Sequence, residues 1–411
     1  MRTGKTIITV LAAVLALAIL AVASGCEGAN NVSGGTKKPS PSSPTPEPVT
    51  VTPQNELDEM LVPFWLMDTM YNEATCMIER DEGPATAKLL FVPTEIVSVR
   101  DYSLNTTYVE GVDYTWERGT NELVLTANSA IPFFTKDFLA GIGEDGVPFK
   151  DFPGTNTLDS LGRGRVGNAL ICVNELYYGK RLAVTYKYQA GSWGGKPVPD
   201  YQGDHLPRTV AKLKDGEKMN IVFFGDSIFE GCDSSSRNGH PPMQLSFDRL
   251  IKKYLVERFG VKINLRNPSK GGMPSTWGAE NTRLITNSKT LPDLAVIGFG
   301  MNDTNESVTA SSVAKIVEEI KAAAPECEFI LVAPIKPNPA SGLLTCQSRI
   351  PDALRELAGV DGVAFVDMYD FHEALLENKD YAAMAGNNVN HPNDWLIRVY
   401  AMNILSTFVE F

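Results

Sequence analysis

Apolar and polar positions change their rhythm near the middle of the chain. From about residue 205 onward, short apolar runs alternate with segments in which apolar residues recur at helical spacing. Runs of the first kind predict buried strands, and the helical spacing predicts amphipathic helices. Strands that alternate with helices indicate βαβ units and a parallel sheet covered on both faces. We therefore predict a three-layer α/β/α domain over residues 205–411.

Residues 55–204 follow a different pattern. Segments such as EIVSVRDY, ELVLTA and KRLAVTYKYQ are rich in β-branched and aromatic residues, and turn signals such as DEGP and ERGTNE separate them. Short strands at this spacing are typical of an antiparallel β-sandwich or jelly roll. We predict that a smaller, β-rich domain of this kind, without a long amphipathic helix, precedes the α/β domain.

The amino terminus has the pattern of an export signal. Two basic residues precede an uncharged apolar run over residues 6–23, and Ser-Gly-Cys follows. A basic start, an apolar stretch and small residues before a cleavage site describe such a signal. Residues 1–26 therefore resemble a bacterial lipoprotein signal, which implies that Cys26 is lipidated, although Ala23 stands where that family usually has leucine. A transmembrane anchor is the alternative.

Residues 27–54 are rich in Ser, Thr, Pro and Gly and almost free of large apolar side chains. Such a segment cannot bury enough surface to fold, so we predict a disordered linker that acts as a semi-stiff spacer. Either form of the amino terminus places the globular part outside the cytoplasm. The lipoprotein interpretation anchors it to the outer face of a bacterial membrane.

Charge and cysteine content exclude some functions. The formal net charge is -12, so a nucleic acid partner is not expected. Apart from Cys26 the chain has five cysteines, in no CxxC spacing, and a zinc site has no support. The sequence indicates no metal and no organic cofactor. It does not indicate an oligomeric state.

One strand of the predicted α/β domain ends in an unusual way. The run MNIVFF is followed directly by Gly225, Asp226 and Ser227. An ordinary turn or a helix cap would explain these residues. In open α/β sheets, however, ligands bind beyond the carboxyl ends of the strands, so Ser227 is also a candidate nucleophile. Such a serine needs an adjacent base from elsewhere in the chain.

Three further segments at strand ends or in loops of this domain complete a pattern. They are NPSKGGMPST at 267–276, GMND at 300–303 and NNVNHPND at 387–394. Together with GDSI around Ser227 they resemble the four blocks of the SGNH (GDSL-type) hydrolase family, in the family's order. The matching residues are Ser227, Gly272, Asn302 and His391. The resemblance covers roughly the last 205 residues and implies a flavodoxin-like catalytic domain.

The resemblance implies a role for each of these residues. Ser227 attacks an ester carbonyl while His391 takes its proton. The oxyanion hole consists of the backbone N–H groups of Ser227 and Gly272 and the side-chain amide of Asn302. Taken singly, each residue also fits a cap, a turn or a loop, and Gly271 stands beside Gly272.

The last block departs from the family's usual Asp-x-x-His, because Asn388 stands three residues before His391. An asparagine oxygen can accept the imidazole Nδ1–H and hold the tautomer, but it does not offset the imidazolium charge as a carboxylate does. We expect Asn388 to orient His391. A Ser-His dyad with a backbone acceptor, a weakened enzyme and a mere turn role for Asn388 stay open.

The expected reaction is ester hydrolysis, with O-acetyl groups on carbohydrate as the expected substrate. The predicted export and tether, the preceding β-rich domain and the tryptophans favour this choice. Trp116, Trp193 and Trp277 are candidates for exposed rings that suit sugars, and Trp277 directly follows the Gly272 block. A lysophospholipase or short-chain lipid esterase is the alternative enzyme. A non-catalytic surface-binding lipoprotein on the same scaffold is the alternative of another class.

Overall fold

The computed structural model describes residues 50–152 and 158–411, which fall within one compact unit. Cys26, the export signal and all but the end of the predicted linker lie outside the described residues, so the lipidation of Cys26 stays a prediction. Within those residues, no helix has both the length and the apolar character needed to cross a bilayer.

The described secondary structure changes character after β10, as the sequence pattern predicts. The strands are β1 (Thr69–Ile78), β2 (Thr86–Lys88), β3 (Pro93–Asp101), β4 (Thr107–Tyr108), β5 (Tyr114–Trp116), β6 (Glu122–Leu125), β7 (Phe133–Phe134), β8 (Arg163–Val166), β9 (Ala169–Cys172), β10 (Arg181–Tyr188), β11 (Met219–Gly225), β12 (Ile263–Arg266), β13 (Leu294–Gly298), β14 (Glu328–Val332) and β15 (Val363–Val366).

Helices of four to six residues accompany the first ten strands, and the helices among the last five strands include longer ones of up to 18 residues. The α-helices are α1 (Glu56–Leu61), α2 (Lys136–Leu139), α3 (Glu175–Tyr178), α4 (Pro207–Lys214), α5 (Ser235–Asn238), α6 (Phe247–Phe259), α7 (Ser275–Glu280), α8 (Arg283–Thr286), α9 (Glu306–Ala323), α10 (Ile350–Arg355), α11 (Met368–Leu376), α12 (Tyr381–Met384) and α13 (Asp394–Ser406). Single 3-10 turns lie at Phe64–Leu66, Pro339–Ser341 and Gln347–Arg349.

The last five strands form a parallel sheet in the order β12-β11-β13-β14-β15. Numbered along the chain this is 2-1-3-4-5, the strand order of flavodoxin-like folds. Helices alternate with these strands, as the sequence pattern predicts; α6, for example, is capped by Gly260, whose φ of 67° is the left-handed conformation common at helix C-termini. The predicted α/β fold is confirmed.

The earlier strands form one mainly antiparallel sheet instead of two stacked sheets. Within the described residues its hydrogen-bonded order is β4-β3-β10-β1-β2-β6-β5, with the short β7 pairing parallel to β1, and β8 and β9 form a separate hairpin. The predicted β-rich character is confirmed, and the β-sandwich or jelly-roll arrangement is not. The sequence pattern also misses β1, the strand that joins the two halves of this sheet, because its polar residues interrupt the alternation.

The two sheets share a single hydrophobic core. Val184 of β10, Phe223 of β11 and Trp395 of α13 are all buried in the same cluster. A buried ion pair also joins them: Glu73 of β1 pairs with Lys379, and Tyr186 donates a hydrogen bond to the same carboxylate at 2.5 Å. The change of sheet near residue 204 is therefore a change of topology within one packed body. The domain boundaries proposed from sequence stay a prediction.

Candidate active site

Gly225, at the end of β11, allows the chain to turn sharply before Ser227. A Cβ on Gly225 would lie 2.1 Å from the carbonyl oxygen of Gly298 on β13, and one on Gly298 would lie 1.9 Å from the ring of Phe229. Only glycine fits both positions, because the strands and the ring pack closer than a methyl group allows. The turn is braced by Asp226, which accepts a hydrogen bond from the Ile228 N–H at 3.0 Å. Ser227 thus emerges at the carboxyl edge of the parallel sheet.

The loop after β12 lies against this turn. The Ser269 hydroxyl accepts a hydrogen bond from the Gly225 N–H at 2.9 Å. A Cβ on Gly271 would come within 3.6 Å of the Ser227 Cβ, so the loop runs directly beside the serine. Gly272 has a φ of 72°, which strains any residue with a side chain. Its need for glycine is conformational, since no neighbouring atom of the described chain lies within 4 Å of the added Cβ.

The two adjacent glycines differ in their N–H groups. The Gly271 N–H donates to the Glu230 carboxylate at 2.7 Å, and this carboxylate also pairs with Arg237. Within the described chain, the Gly272 N–H has no hydrogen-bond acceptor. This leaves Gly272 and not Gly271 as the backbone donor available to a substrate.

Asn302 follows β13, and its side chain reaches the same loop. Its amide Nδ2 donates to the carbonyl oxygen of Met273 at 3.2 Å, which places the amide beside Gly272. The turn that carries Asn302 is held from below by Gln347, whose Nε2 donates to the Met301 carbonyl at 3.2 Å. The neighbouring Asp303 is buried and accepts hydrogen bonds from Ser275, so it is a structural residue of the α7 start.

His391 completes the group. Its Nε2 lies 2.9 Å from the Ser227 Oγ, a separation at which the serine hydroxyl donates to the imidazole. The loop that carries it is organised by Asn387, whose Oδ1 accepts from the backbone N–H groups of Val389, Asn390 and His391. Ser227, Gly272, Asn302 and His391 therefore lie together at one edge of the parallel sheet.

The partner of the His391 Nδ1 is Asp233 and not Asn388. The Asp233 Oδ2 lies 2.8 Å from Nδ1. The Asn388 side chain points into the β-rich region, where its amide donates to the carbonyls of Leu139 and Leu170 at 3.3 and 3.4 Å. The prediction that Asn388 orients His391 is wrong: its φ of 65° turns the side chain away from the imidazole.

Asp233 was missed because it does not belong to the histidine block. It lies six residues after Ser227 on the same loop and has a φ of 64°, a left-handed conformation that aspartate tolerates. The sequence signal for it was an aspartate close behind the nucleophile. Nothing in the spacing links that residue to a histidine 158 positions later.

Two buried carboxyls near Ser227 have opposite electrostatics. Burial raises the pKa of Asp233, but the hydrogen bond and charge of His391, the Asn238 amide and the Arg181 charge outweigh this and leave the pKa below its usual value. Burial raises the pKa of Asp226 to about 7, even though backbone N–H groups and His391 act against it. Asp233 is therefore an anion at neutral pH, whereas Asp226 titrates there.

Chemically, the arrangement joins a hydroxyl, an imidazole and a carboxylate in series. With Nδ1–H donated to the Asp233 carboxylate, Nε2 is left as the acceptor that faces Ser227. Such an imidazole can take a proton from the serine and hand it to a leaving group. Within residues 50–152 and 158–411, no group of three or more His, Cys, Asp or Glu side chains is placed to hold a metal ion.

The tryptophans proposed as sugar-facing rings lie mostly in the core. Trp116 and Trp193 are 7% and 4% exposed, and Trp193 packs against Phe64 with ring centroids 5.2 Å apart. Trp277 on α7 is only half-buried. It packs against Phe224 and has the Lys270 ammonium 5.8 Å from its ring centroid. Of the three, Trp277 alone stays available as a substrate-facing ring.

Residues 223–395, which contain all of these site residues, match the model of the GDSL-like Lipase/Acylhydrolase family. The resemblance to SGNH (GDSL-type) hydrolases is thereby confirmed, and the region is a carboxylic ester hydrolase domain of the SGNH type. A search of curated proteins found no significant match.

Solved structures with a similar fold include esterases. One is a two-domain esterase active on acetylated mannans, co-crystallised with mannopentaose, with 20% identity and a TM-score of 0.41 over 50% of this chain and 53% of that one. Another is a catalytic mutant of an acetylxylan esterase from Geobacillus stearothermophilus, with 17% identity and a TM-score of 0.40 over 48% of this chain and 97% of that one. The match thus spans about half the length of the two-domain esterase. Similarities at this level do not identify a substrate.

Proposed function

We propose that the protein hydrolyses carboxylic esters with Ser227 as nucleophile, His391 as general base and Asp233 as the residue that orients the histidine. The observation that carries the proposal is the hydrogen-bonded series from the Ser227 Oγ through His391 to the Asp233 carboxylate, at 2.9 and 2.8 Å. The weakened or non-catalytic alternatives rested on Asn388 in place of a carboxylate. Because Asp233 supplies a carboxylate from another loop, the reason for these alternatives no longer applies.

The reaction proceeds in two halves. Ser227 Oγ attacks the ester carbonyl carbon as its proton passes to the His391 Nε2, and the carbonyl electron pair moves onto oxygen. The C–O bond to the alcohol then breaks, and the imidazolium returns its proton to the departing oxygen. A water repeats the sequence on the acyl-serine and releases the acid. Asp233 stabilises the imidazolium in both halves.

The oxyanion is received by donors that need no rearrangement. The N–H groups of Ser227 and Gly272 have no acceptor among the described residues, and Asn302 is held beside Gly272 through Met273. A fixed donor of this type typically contributes about 3 kcal/mol to transition-state stabilisation. This supports three donors in the roles that the family pattern suggests.

We also propose that the substrate is an O-acetyl group on carbohydrate and that the protein acts outside the cell, held to a bacterial membrane through a lipid on Cys26. The export signal and spacer favour a substrate outside the cytoplasm, and the half-buried Trp277 offers a ring beside the Gly272 loop. An enzyme tethered outside the cell would stay close to acetylated polysaccharides, which are too large to enter it.

Chain-length preference tests the activity and substrate class together. Wild type should hydrolyse p-nitrophenyl acetate much faster than the octanoate and release acetate from acetylated mannan or xylan. Ser227→Ala should lose at least about a thousandfold in kcat, since the oxyanion hole and binding alone leave only a small residual rate. A preference for octanoate would favour the lipid esterase alternative, and an inactive wild type would refute the enzyme.

The tether is tested separately from the chemistry. Mass spectrometry of the native protein should find an acyl-modified Cys26 at the mature amino terminus. Cys26→Ser should release the protein from the membrane fraction or leave it unprocessed, with unchanged kcat on p-nitrophenyl acetate. An unmodified Cys26 in a membrane-bound protein would point to an uncleaved anchor instead.

A further inference from the structure

The loop that carries His391 is docked on the β-rich region and not on the parallel sheet alone. We call residues 385–393 the histidine loop. The Cys172 N–H of β9 donates to the Asn387 carbonyl at 3.4 Å. The Asn388 amide bonds to the carbonyls of Leu139 and Leu170, as described above. Hence the segment that carries His391 takes part of its position from the β-rich region.

Arg181 makes the strongest of these contacts. It begins β10 and is 9% exposed. Its Nη2 donates to the carbonyl oxygens of Ala385 and Gly386 at 2.8 and 2.7 Å. Its guanidinium carbon lies 4.9 Å from the centroid of the Tyr177 ring, which fixes the plane of the group. One side chain of the antiparallel sheet thus holds the start of the histidine loop through two hydrogen bonds.

Ala385 and Gly386, whose carbonyls accept from Arg181, contact the chain around His391 and Asp233. The Gly386 N–H donates to the His391 carbonyl at 2.6 Å, and Ala385 forms a β-bridge with Pro392. A Cβ on Gly386 would lie 2.4 Å from the Asp233 Cβ, so the Gly386 backbone packs directly on the aspartate. A shift of the Ala385 and Gly386 carbonyls would therefore move both ends of the Asp233–His391 hydrogen bond.

Arg181 also brings positive charge to this place. Burial alone would raise the pKa of Asp233, and the Arg181 charge is among the groups that act in the opposite direction. Within the described chain Arg181 has no ion-pair partner at contact distance, and its Nε has no hydrogen-bond partner. Burying a cation is costly, and here the two carbonyl oxygens and the nearby Asp233 charge offset part of that cost.

We propose that Arg181 is a positioning residue for ester hydrolysis: from the β-rich region it fixes the histidine loop and, through Gly386, the geometry of the Asp233–His391 pair. The inference rests on the proposed function. It gives the β-rich region a part in the reaction that does not depend on whether that region binds carbohydrate.

Arg181→Ala and Arg181→Lys test the proposal on p-nitrophenyl acetate. Arg181→Ala should lower kcat by about 10- to 100-fold with little change in KM, because misplacement by 1 Å can cost about 100-fold. Arg181→Lys keeps the charge and one or both hydrogen bonds, so its loss should be smaller. Circular dichroism and thermal melting establish that each variant is folded under the assay conditions.

Arg80→Ala is the matched control. Arg80 also extends from the antiparallel sheet to the other region, where it pairs with Asp380 at 2.8 Å, but it makes no hydrogen bond to the histidine loop. It should lose stability as Arg181→Ala does while keeping kcat. If Arg181→Ala does not fold, Arg181→Met takes its place, because methionine fills much of the same space without the charge or the hydrogen bonds; a kcat of Arg181→Met equal to that of Arg80→Ala overturns the proposal.

Guanidinium rescue separates positioning from general destabilisation. Arg181 lines a cavity of about 280 Å³ between the two regions, which gives a small cation access to the vacated place. Millimolar guanidinium, well below denaturing concentration, should restore part of the kcat of Arg181→Ala and leave Arg80→Ala unchanged. If Arg181→Ala has the same kcat as Arg80→Ala and guanidinium does not change it, the positioning role of Arg181 is refuted. That result would leave the proposed function untouched. Full activity of Ser227→Ala would refute the proposed function itself.

Discussion

The carboxyl edge of the parallel sheet and the antiparallel sheet contribute to the same site in different ways. The parallel sheet supplies the proposed nucleophile and oxyanion donors: Ser227, Gly272 and Asn302 each follow one of its strands. The antiparallel sheet supplies no such group. Its Arg181 contacts the back of the histidine loop, and the carbonyls of Leu139 in α2 and Leu170 in the β8-β9 hairpin hold Asn388 there.

The reacting groups and the contacts that position the histidine loop therefore come from different parts of the molecule. Strand ends of a parallel sheet converge by topology, so residues placed there meet without further help. A loop that comes after the last strand has no such guide, and packing against another element must fix it. The antiparallel sheet does this within a shared core, which explains why the two regions are fused into one body instead of joined by a flexible hinge.

Replacing Asp233 should give the largest change. Asp233→Asn keeps the size but presents either an amide oxygen or an amide N–H to the His391 Nδ1, which weakens or reverses the tautomer. We expect kcat to fall by about a thousandfold or more, the scale seen when the orienting carboxylate of a triad is lost. Steady-state kinetics on p-nitrophenyl acetate measures it. If kcat fell a thousandfold in Asn388→Ala and stayed unchanged in Asp233→Asn, Asn388 and not Asp233 would be the orienting residue.

The contrast between Asp233 and Ser227 shows how far sequence reasoning reaches. Ser227, Gly272, Asn302 and His391 were predictable because each lies in a short block of sequence that matches a block of the SGNH family, in the family's order. Asp233 was not, because its meeting with His391 is a tertiary contact across 158 residues. The single antiparallel sheet was also beyond prediction, because periodicity identifies strands but not which strand pairs with which. In β1, a bulge near Asn72 and the buried Glu73 interrupt the alternation of apolar and polar residues that would reveal a strand.

Asp226 tests the electrostatic side of the comparison. In the antiparallel sheet the buried Glu73 has Lys379 as its ion-pair partner, whereas Asp226 has no such partner within the described residues. Burial raises the pKa of Asp226 from 3.8 to about 7. Between these values the unfolded chain has released the proton and the folded one still binds it, so stability should fall as pH rises from about 4 to 7.

Asp226→Asn should remove this dependence. The rise of the Asp226 pKa to about 7 corresponds to at most about 4 kcal/mol of unfolding free energy lost from wild type across that window. Urea unfolding at pH 5 and pH 8 should show a large difference for wild type and a much smaller one for Asp226→Asn, whose amide oxygen still accepts from the Ile228 N–H. Parallel pH curves for the two proteins would mean that Asp226 does not titrate in this range.

Asn302 tests the contribution of the parallel sheet to the oxyanion hole. Asn302→Ala removes one oxyanion donor and one hydrogen bond to Met273. We expect kcat to fall by about a hundredfold, with KM changed little, because the donor acts on charge that develops only in the transition state. Asn302→Asp should be at least as damaging, since a carboxylate faces the oxyanion. A loss confined to KM would make Asn302 a ground-state binding residue instead.

Asn388 should give the smallest kinetic effect, although it stands only three residues before His391. Its two hydrogen bonds to Leu139 and Leu170 are long, at 3.3 and 3.4 Å, and are each worth on the order of 0.5 kcal/mol. Asn388→Gly keeps the φ of 65° without strain, so kcat should stay within about a factor of three. Asn388→Ala adds roughly 1 kcal/mol of backbone strain. Asn388→Asp should be the least stable of the three in thermal melting, because a carboxylate would then face two carbonyl oxygens. A gain of activity in Asn388→Asp would contradict the side-chain placement and would mean that the histidine takes its partner from its own loop and not from the serine's.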